Sequence, residues 1–174
     1  MPLPGWRASL ERAVTEGGVL GADAVTPAAG HEGVRLLAGV LGHPLQLAQA
    51  NWSTSRRGVI RGIHYTEVPP GRAKYVTCVR GAVLDVRVGS LTFGHHDAVR
   101  LDTASPRAIY LAEGPGHGFC ALTDDASVLY LCSTRYHPSR ERSIHPLDPD
   151  LALPWPAHAE RVPWWPLRAM VVLC

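Results

Sequence analysis

The chain has 174 residues, enough for one domain with a substantial core and too few for a comfortable second. Lys and Arg total 17 against 15 Asp and Glu, so no basic stripe points to nucleic acid as a partner. No apolar run approaches the ~20 residues of a membrane span, and Met1–Ala13 lacks the apolar stretch of a signal peptide, so the expected location is cytoplasmic with no membrane partner.

Taken in chain order, residues 1–43 form an atypical segment rich in Ala, Gly and Leu. Trp6, Leu10 and Val14 recur at helical spacing and predict a short amphipathic helix over Pro4–Thr15, stopped by Gly17, Gly18 and Gly21. A second helix is expected within Thr26–Leu41. From about Gln46 the texture changes to short apolar runs divided by Gly, Pro and Asp. The expected strands are Gly58–Tyr65, Lys74–Val79, Ala82–Val88, Ala98–Leu101, Ala108–Leu111, Gly118–Leu122 and Ser127–Thr134. Turn signals stand between them at Pro69-Pro70-Gly71, Arg80-Gly81, Ser105-Pro106 and Asp124-Asp125. Tyr136–Pro166 is polar and Pro-rich, and reads as an ordered wrap that buries Trp155, Trp164 and Trp165. With 17 Gly and 15 Pro the whole favours an all-β fold over a helix bundle. Cys78, Cys120, Cys132 and Cys174 have no metal-finger spacing and read as reduced, mostly core-filling thiols.

Several residues could carry chemistry. In Arg61-Gly62-Ile63-His64-Tyr65, simple strand alternation puts Arg61, Ile63 and Tyr65 on one side and Gly62 and His64 on the other. An imidazole at 64 looking into a barrel lumen suits proton abstraction near neutral pH, whereas taken alone a His there is more often a satisfied core residue. Gly114-Pro115-Gly116-His117-Gly118-Phe119 suggests a tight turn with backbone close to something, or a hairpin with an incidental His. Lys74 opens a strand after a Pro/Gly turn and could hold an enolate or a phosphate oxygen, though such lysines are usually solvated. Tyr130 and Tyr136 could deliver a proton from a lumen-facing phenol, or be core aromatics with a hydroxyl at the rim. A metal site is disfavoured: His95 and His96 are adjacent and would face opposite sides of a strand, and His64 has no His two residues away. No nucleophile elbow and no glycine-rich phosphate loop is present.

As an ordered set these signals are specific. Gln49–Ser55, Gly58–Tyr65, Ala73–Val76, Arg80–Val86, Ser90–Gly94, Gly116–Phe119, Tyr130, Tyr136-His137-Pro138, Glu141, Asp148-Pro149 and Trp155-Pro156 together resemble the dTDP-4-dehydrorhamnose 3,5-epimerase family. The texture is that of the actinomycete enzymes that make deoxysugars for antibiotics. The resemblance covers residues 44–156, leaving 157–174 as a tail. It implies a cupin jelly-roll β-barrel, with short helical segments at both ends, working as a homodimer without metal or redox cofactor. By position, His64 resembles the general base, Tyr130 the acid on the opposite face and Lys74 the group that steadies the enolate. Arg61 and His117 resemble substrate-site residues, Arg61 near the diphosphate. Gln49, Asn51, Tyr136 and Glu141 resemble further contacts to sugar or nucleotide. The implied activity is epimerisation at C3, C5 or both of a dTDP-4-keto-6-deoxyglucose-like substrate.

Three departures from the family pattern stand out. Residues 1–43 contain no Asp-x-Arg-Gly-x-Phe-x-Glu strand. The run Asp85–Ser90 is about four residues short, which keeps a strand's in/out facing but shortens or re-routes it. Arg161–Cys174 holds no Asp to orient the catalytic His, a part that Asp85 or Asp148 could fill. The alternatives are a keto-isomerase on a related sugar nucleotide and a catalytically impaired or non-catalytic cupin that binds one. A metal-dependent cupin dioxygenase is a more distant third.

Overall fold

The computed structural model describes residues 19–21, 46–89 and 95–161, the first three and residues 160–161 by their backbone. The helices expected over Pro4–Thr15 and within Thr26–Leu41, Trp164, Trp165, Cys174 and the end of the C-terminal tail lie outside those residues. Eleven strands run through the described chain: β1 Val19–Gly21, β2 Gln49–Ser55, β3 Val59–Thr66, β4 Lys74–Arg80, β5 Ala82–Val88, β6 His96–Asp102, β7 Arg107–Leu111, β8 Gly116–Ala121, β9 Ala126–Cys132, β10 Glu141–Ser143 and β11 Glu160–Arg161. One sheet has the order β1-β7-β4-β9-β2; the other runs β10-β3-β8-β5-β6, with β11 alongside β3. All pairings are antiparallel except β11 with β3. The two sheets face each other, as in a jelly roll.

The seven expected strands form within a residue or two of their predicted ends. Four strands are not among those expected, the short β1, β10 and β11 and the seven-residue β2. Gln49, Asn51, Ser53 and Ser55 of β2 are buried while Trp52 between them is exposed. The usual rule of apolar in and polar out is inverted there, because this strand faces a polar lumen.

The core sits between the sheets toward one end of the sandwich. Val76, Cys78, Ile109, Leu111, Ala126 and Val128 come from the first sheet; Val83, Leu101, Phe119 and Ala121 come from the second. Burying each large aliphatic or aromatic side chain contributes about 1.5–3 kcal/mol. Cys78 and Cys120 are free and buried, consistent with their reading as fillers. A second, smaller cluster lies on the outer face of the second sheet. There Ile63, Val88 and Leu151 pack with Ile144, Leu153 and Trp155. The expected wrap is therefore real through Trp155, whose indole N–H donates to the Pro146 carbonyl at 2.7 Å.

The face of β3 differs from simple alternation, and the difference matters for the site. Arg61 lies opposite Phe119 and His64 opposite His117, with a bulge between. Three steps along β3 are matched by two along β8, so Arg61 and His64 share a face. Phe119 is in the inter-sheet core, so that face is the inner one. Ile63 is turned to the outer cluster instead. The expectation that Arg61 and His64 point oppositely is corrected by this extra residue.

Glycine makes the bulge feasible. Gly62 has φ +119°, and a Cβ there would lie 2.5 Å from the Gly118 Cα and 2.7 Å from the His117 carbonyl oxygen. Both neighbours are backbone and cannot swing away. Gly116 and Gly118 open β8 to Ile63, whose side-chain carbons would lie 2.7 Å from a Cβ at either position. Gly114, at φ +110° in the bend between β7 and β8, supplies the expected turn, while Gly116 and Gly118 serve strand packing, with Gly116 and His117 already in β8. Gly62→Ala is expected to lower unfolding free energy by ~3 kcal/mol or more. Urea denaturation of the variant against wild type checks this.

Candidate active site

The polar end of the lumen is built from both sheets. On β2, β9 and β4 the register aligns Gln49 with Cys132, Asn51 with Tyr130, Lys74 with Cys132 and Val76 with Tyr130. Val76 and Val128 are core, so Gln49, Asn51, Tyr130, Cys132 and Lys74 all look inward. On the facing sheet Asp85 pairs with Phe119 and Arg87 with His117, which adds both to the inner face beside Arg61 and His64. The register thus sets His64 and Tyr130 on the inner faces of opposite sheets. Of the nine site residues read from the sequence, seven line this inner surface: Gln49, Asn51, Arg61, His64, Lys74, His117 and Tyr130. Tyr136 and Glu141 follow β9 and form its rim.

The lumen groups are held by three sets of hydrogen bonds. Gln49 Nε2 donates to Asn51 Oδ1 at 2.7 Å, and Asn51 Nδ2 to Cys132 Sγ at 3.5 Å. Gln49 Oε1 accepts the Tyr136 backbone N–H at 2.6 Å, tying the rim to the lumen wall. Arg61 Nε donates to Ser55 Oγ at 2.8 Å, and its NH2 group to the Thr54 carbonyl at 3.0 Å. His117 Nε2 and Asp85 Oδ2 are 2.8 Å apart in a buried pair. Asp85, which the sequence suggests as a stand-in partner for His64, spends that oxygen on His117; the other, Oδ1, has no hydrogen-bond partner among the described residues. Asp148, the other candidate, instead accepts the Asp150 backbone N–H through Oδ1 at 3.0 Å.

Burial sets the ionisation of the two groups that matter most. The Tyr130 phenol is pushed up to about 12, chiefly by burial and further by Cys132, with Arg61 and Arg72 opposing. It therefore stays protonated across the neutral range. The Lys74 ammonium is drawn below its ordinary value, again chiefly by burial. Cys132, Glu141 and Asp85 partly restore it, and Arg72 lowers it further. Lys74 is 8% exposed, so the usual solvated lysine at a strand start is not what this position holds.

Three contributors, Arg72, Ser55 and Arg87, are not singled out by the sequence, and a fourth, Asp85, serves a different histidine from the one expected. Arg72 is buried and ion-paired to Glu141 at 2.9 Å; it hid in a Pro-Pro-Gly-Arg turn that reads as loop. Ser55 anchors Arg61 from the overlooked strand β2. Asp85 partners His117, and Arg87 on the same face pairs with Asp97 at 3.4 Å. Their inward facing follows from register, which one sequence does not carry. Among the described residues no group of three or more His, Cys, Asp or Glu side chains is placed to hold a metal ion.

A jelly roll whose lumen holds an imidazole on one wall and a protonated phenol and an ammonium on the other is equipped to take a proton from carbon and return it. The family model of dTDP-4-dehydrorhamnose 3,5-epimerase matches residues 35–168, and the chain belongs to that family. A dTDP-4-dehydrorhamnose 3-epimerase of Streptomyces niveus is 61% identical over 120 residues, 67% of this chain and 58% of the relative. A dTDP-4-dehydrorhamnose 3,5-epimerase of Mycolicibacterium smegmatis is 54% identical over 125 residues, 70% of this chain and 61% of the relative. Among solved structures, a 4-keto-6-deoxy sugar epimerase from the novobiocin gene cluster of Streptomyces spheroides has a TM-score of 0.71 at 56% identity. That likeness covers 75% of this chain and 68% of the other. The chain spans about three fifths of the length of the curated relatives it matches. The fold is the cupin jelly roll expected from the resemblance.

Proposed function

We propose that this protein epimerises a dTDP-4-keto-6-deoxyhexose at C3, C5 or both, in deoxysugar biosynthesis. The observation that carries the reading is the β3 bulge. It brings His64 onto the inner face with Arg61, opposite the wall that carries Tyr130 and Lys74.

The mechanism follows from those residues. The carbonyl at C4 acidifies the hydrogens on C3 and C5. His64 takes one of them, and the electron pair moves onto the carbonyl oxygen to make an enolate. Lys74, a cation in a low-dielectric wall, opposes that developing charge. Tyr130 then gives its proton to the same carbon from the other side, and the ketone re-forms with inverted configuration. An acid and a base on opposite faces are what inversion requires, since a lone base tends to return the proton where it came from. Each positioned acid or base contributes ~10²–10⁴-fold.

His117, fixed by Asp85, and the Gln49–Asn51 chain are the groups that orient the sugar nucleotide. Arg61 is the cation for its diphosphate. The catalytic unit is the barrel of residues 44–156, and the working assembly is a cytoplasmic homodimer. A 3'-monoepimerase from Streptomyces bikiniensis, 50% identical with a TM-score of 0.70, was solved with dTDP-quinovose, which supports a dTDP-hexose as the ligand class.

The test is incubation with dTDP-4-keto-6-deoxyglucose in heavy water, followed by NMR. Deuterium should appear at C3, C5 or both, with inversion at the same carbon. A substrate recovered with protium at both positions defeats the proposal, and carbonyl migration in place of inversion assigns a keto-isomerase instead.

A further inference from the structure

Arg72 carries a donor with no partner among the described residues. Its side chain is 6% exposed, and Nη1 is bonded to Glu141 Oε1 at 2.9 Å. Nε donates to Thr134 Oγ1 at 3.4 Å, and the guanidinium lies 5.8 Å from the centre of the Tyr136 ring. Glu141 Oε1 is steadied from the other side by Thr66 Oγ1 at 3.0 Å. The third nitrogen of Arg72, Nη2, is buried with no hydrogen-bond partner among the described residues. Buried donors are almost always paired, and a guanidinium arm left open in a binding site is most simply explained by an acceptor that arrives with the ligand.

The position fits that explanation. Arg72 stands two residues before Lys74 and is bracketed by Tyr136 and Glu141 at the rim. Its charge acts on Lys74, Tyr130 and Cys132, the inward-facing groups of the same wall. We propose that Nη2 of Arg72 is a further substrate contact, a hydrogen bond to a neutral oxygen of the hexose, with Glu141 as the residue that holds the guanidinium in place. The acceptor is a hydroxyl or carbonyl oxygen and not the diphosphate, because Glu141 already neutralises the guanidinium. Lys74 and Arg61 remain the cations for anionic oxygens. This rests on the proposed function and extends it to a residue that reads as loop in the sequence.

Arg72→Lys tests it. Lysine keeps a cation against Glu141 and removes the open arm. Titration calorimetry is run with dTDP and with a dTDP-6-deoxyhexose on wild type and variant, beside a thermal melt. The variant should bind the sugar nucleotide ~10-fold or more weakly and dTDP within twofold of wild type. Equal losses on both ligands, or no loss on either, overturn the proposal. If Arg72→Lys does not fold, Arg72→Met, which removes every donor and leaves Glu141 in place, must give the same selective loss. Wild-type protein that fails to bind the sugar nucleotide defeats the functional reading itself; wild-type binding that the variant leaves unchanged defeats only the Arg72 contact.

Discussion

His64→Asn should cut deuterium uptake into the 4-keto sugar by ~10²–10⁴-fold while binding of the sugar nucleotide changes by no more than a few-fold. Asn matches the shape of imidazole closely enough to keep hydrogen bonding and cannot accept the proton. Tyr130→Phe should behave differently. It leaves the base and Lys74 in place, so the enolate still forms and the acidic position still exchanges with solvent, but no phenol remains to protonate the far face. The expected product is deuterated substrate of unchanged configuration, with inversion reduced ~10²-fold or more. NMR separates the two readouts in one tube, since exchange is lost signal and inversion is a new set of couplings. Equal loss of exchange and inversion in both variants would remove Tyr130 from the acid's role.

Much of this was legible in the residues. In the first sheet β4 announces itself because buried and half-buried positions alternate along it around Val76 and Cys78. The family motifs then name the inward polar groups. What the sequence hid has a common cause. β2 was invisible because its buried side is Gln49, Asn51, Ser53 and Ser55, and hydrophobic pattern cannot report a strand that faces a polar lumen. Simple alternation gives Arg61 and His64 the wrong facing because a single extra residue reverses it, and a bulge is a property of two paired strands. Asp85 stands out in the sequence, but its partner depends on the alignment of β5 with β8, which sets it against His117, 32 residues away in the chain. Arg72 looked like part of a turn because its burial comes from Glu141 and Tyr136, which approach from beyond β9.

Replacing Lys74 by Met should make the protein more stable and nearly inactive at once. The ammonium is drawn below its ordinary ionisation range mainly by burial, so the fold carries a cost to keep it charged. Met fills similar volume without that cost, and the variant should gain ~1 kcal/mol, since buried charges replaced by apolar groups are often neutral to stabilising. The gain should depend on pH in a definite direction. With the folded value lowered, the unfolded chain holds the lysine proton more tightly over the interval between the two values. Wild-type stability therefore rises with pH through that interval. The Met variant lacks this rise, so its advantage is greatest at neutral pH and disappears as pH approaches the ordinary lysine value of about 10.4. Melting curves across that range measure it. Activity should move the opposite way: losing the cation at the enolate oxygen costs ~10²–10³-fold in exchange rate. In wild type the alkaline fall in rate should come from Lys74 giving up its proton, well before Tyr130 titrates at about 12. Lys74→Arg keeps a cation that does not deprotonate, so what activity it retains should persist to higher pH. An alkaline limb unmoved by Lys74→Arg would assign that limb to another group and detach Lys74 from the enolate.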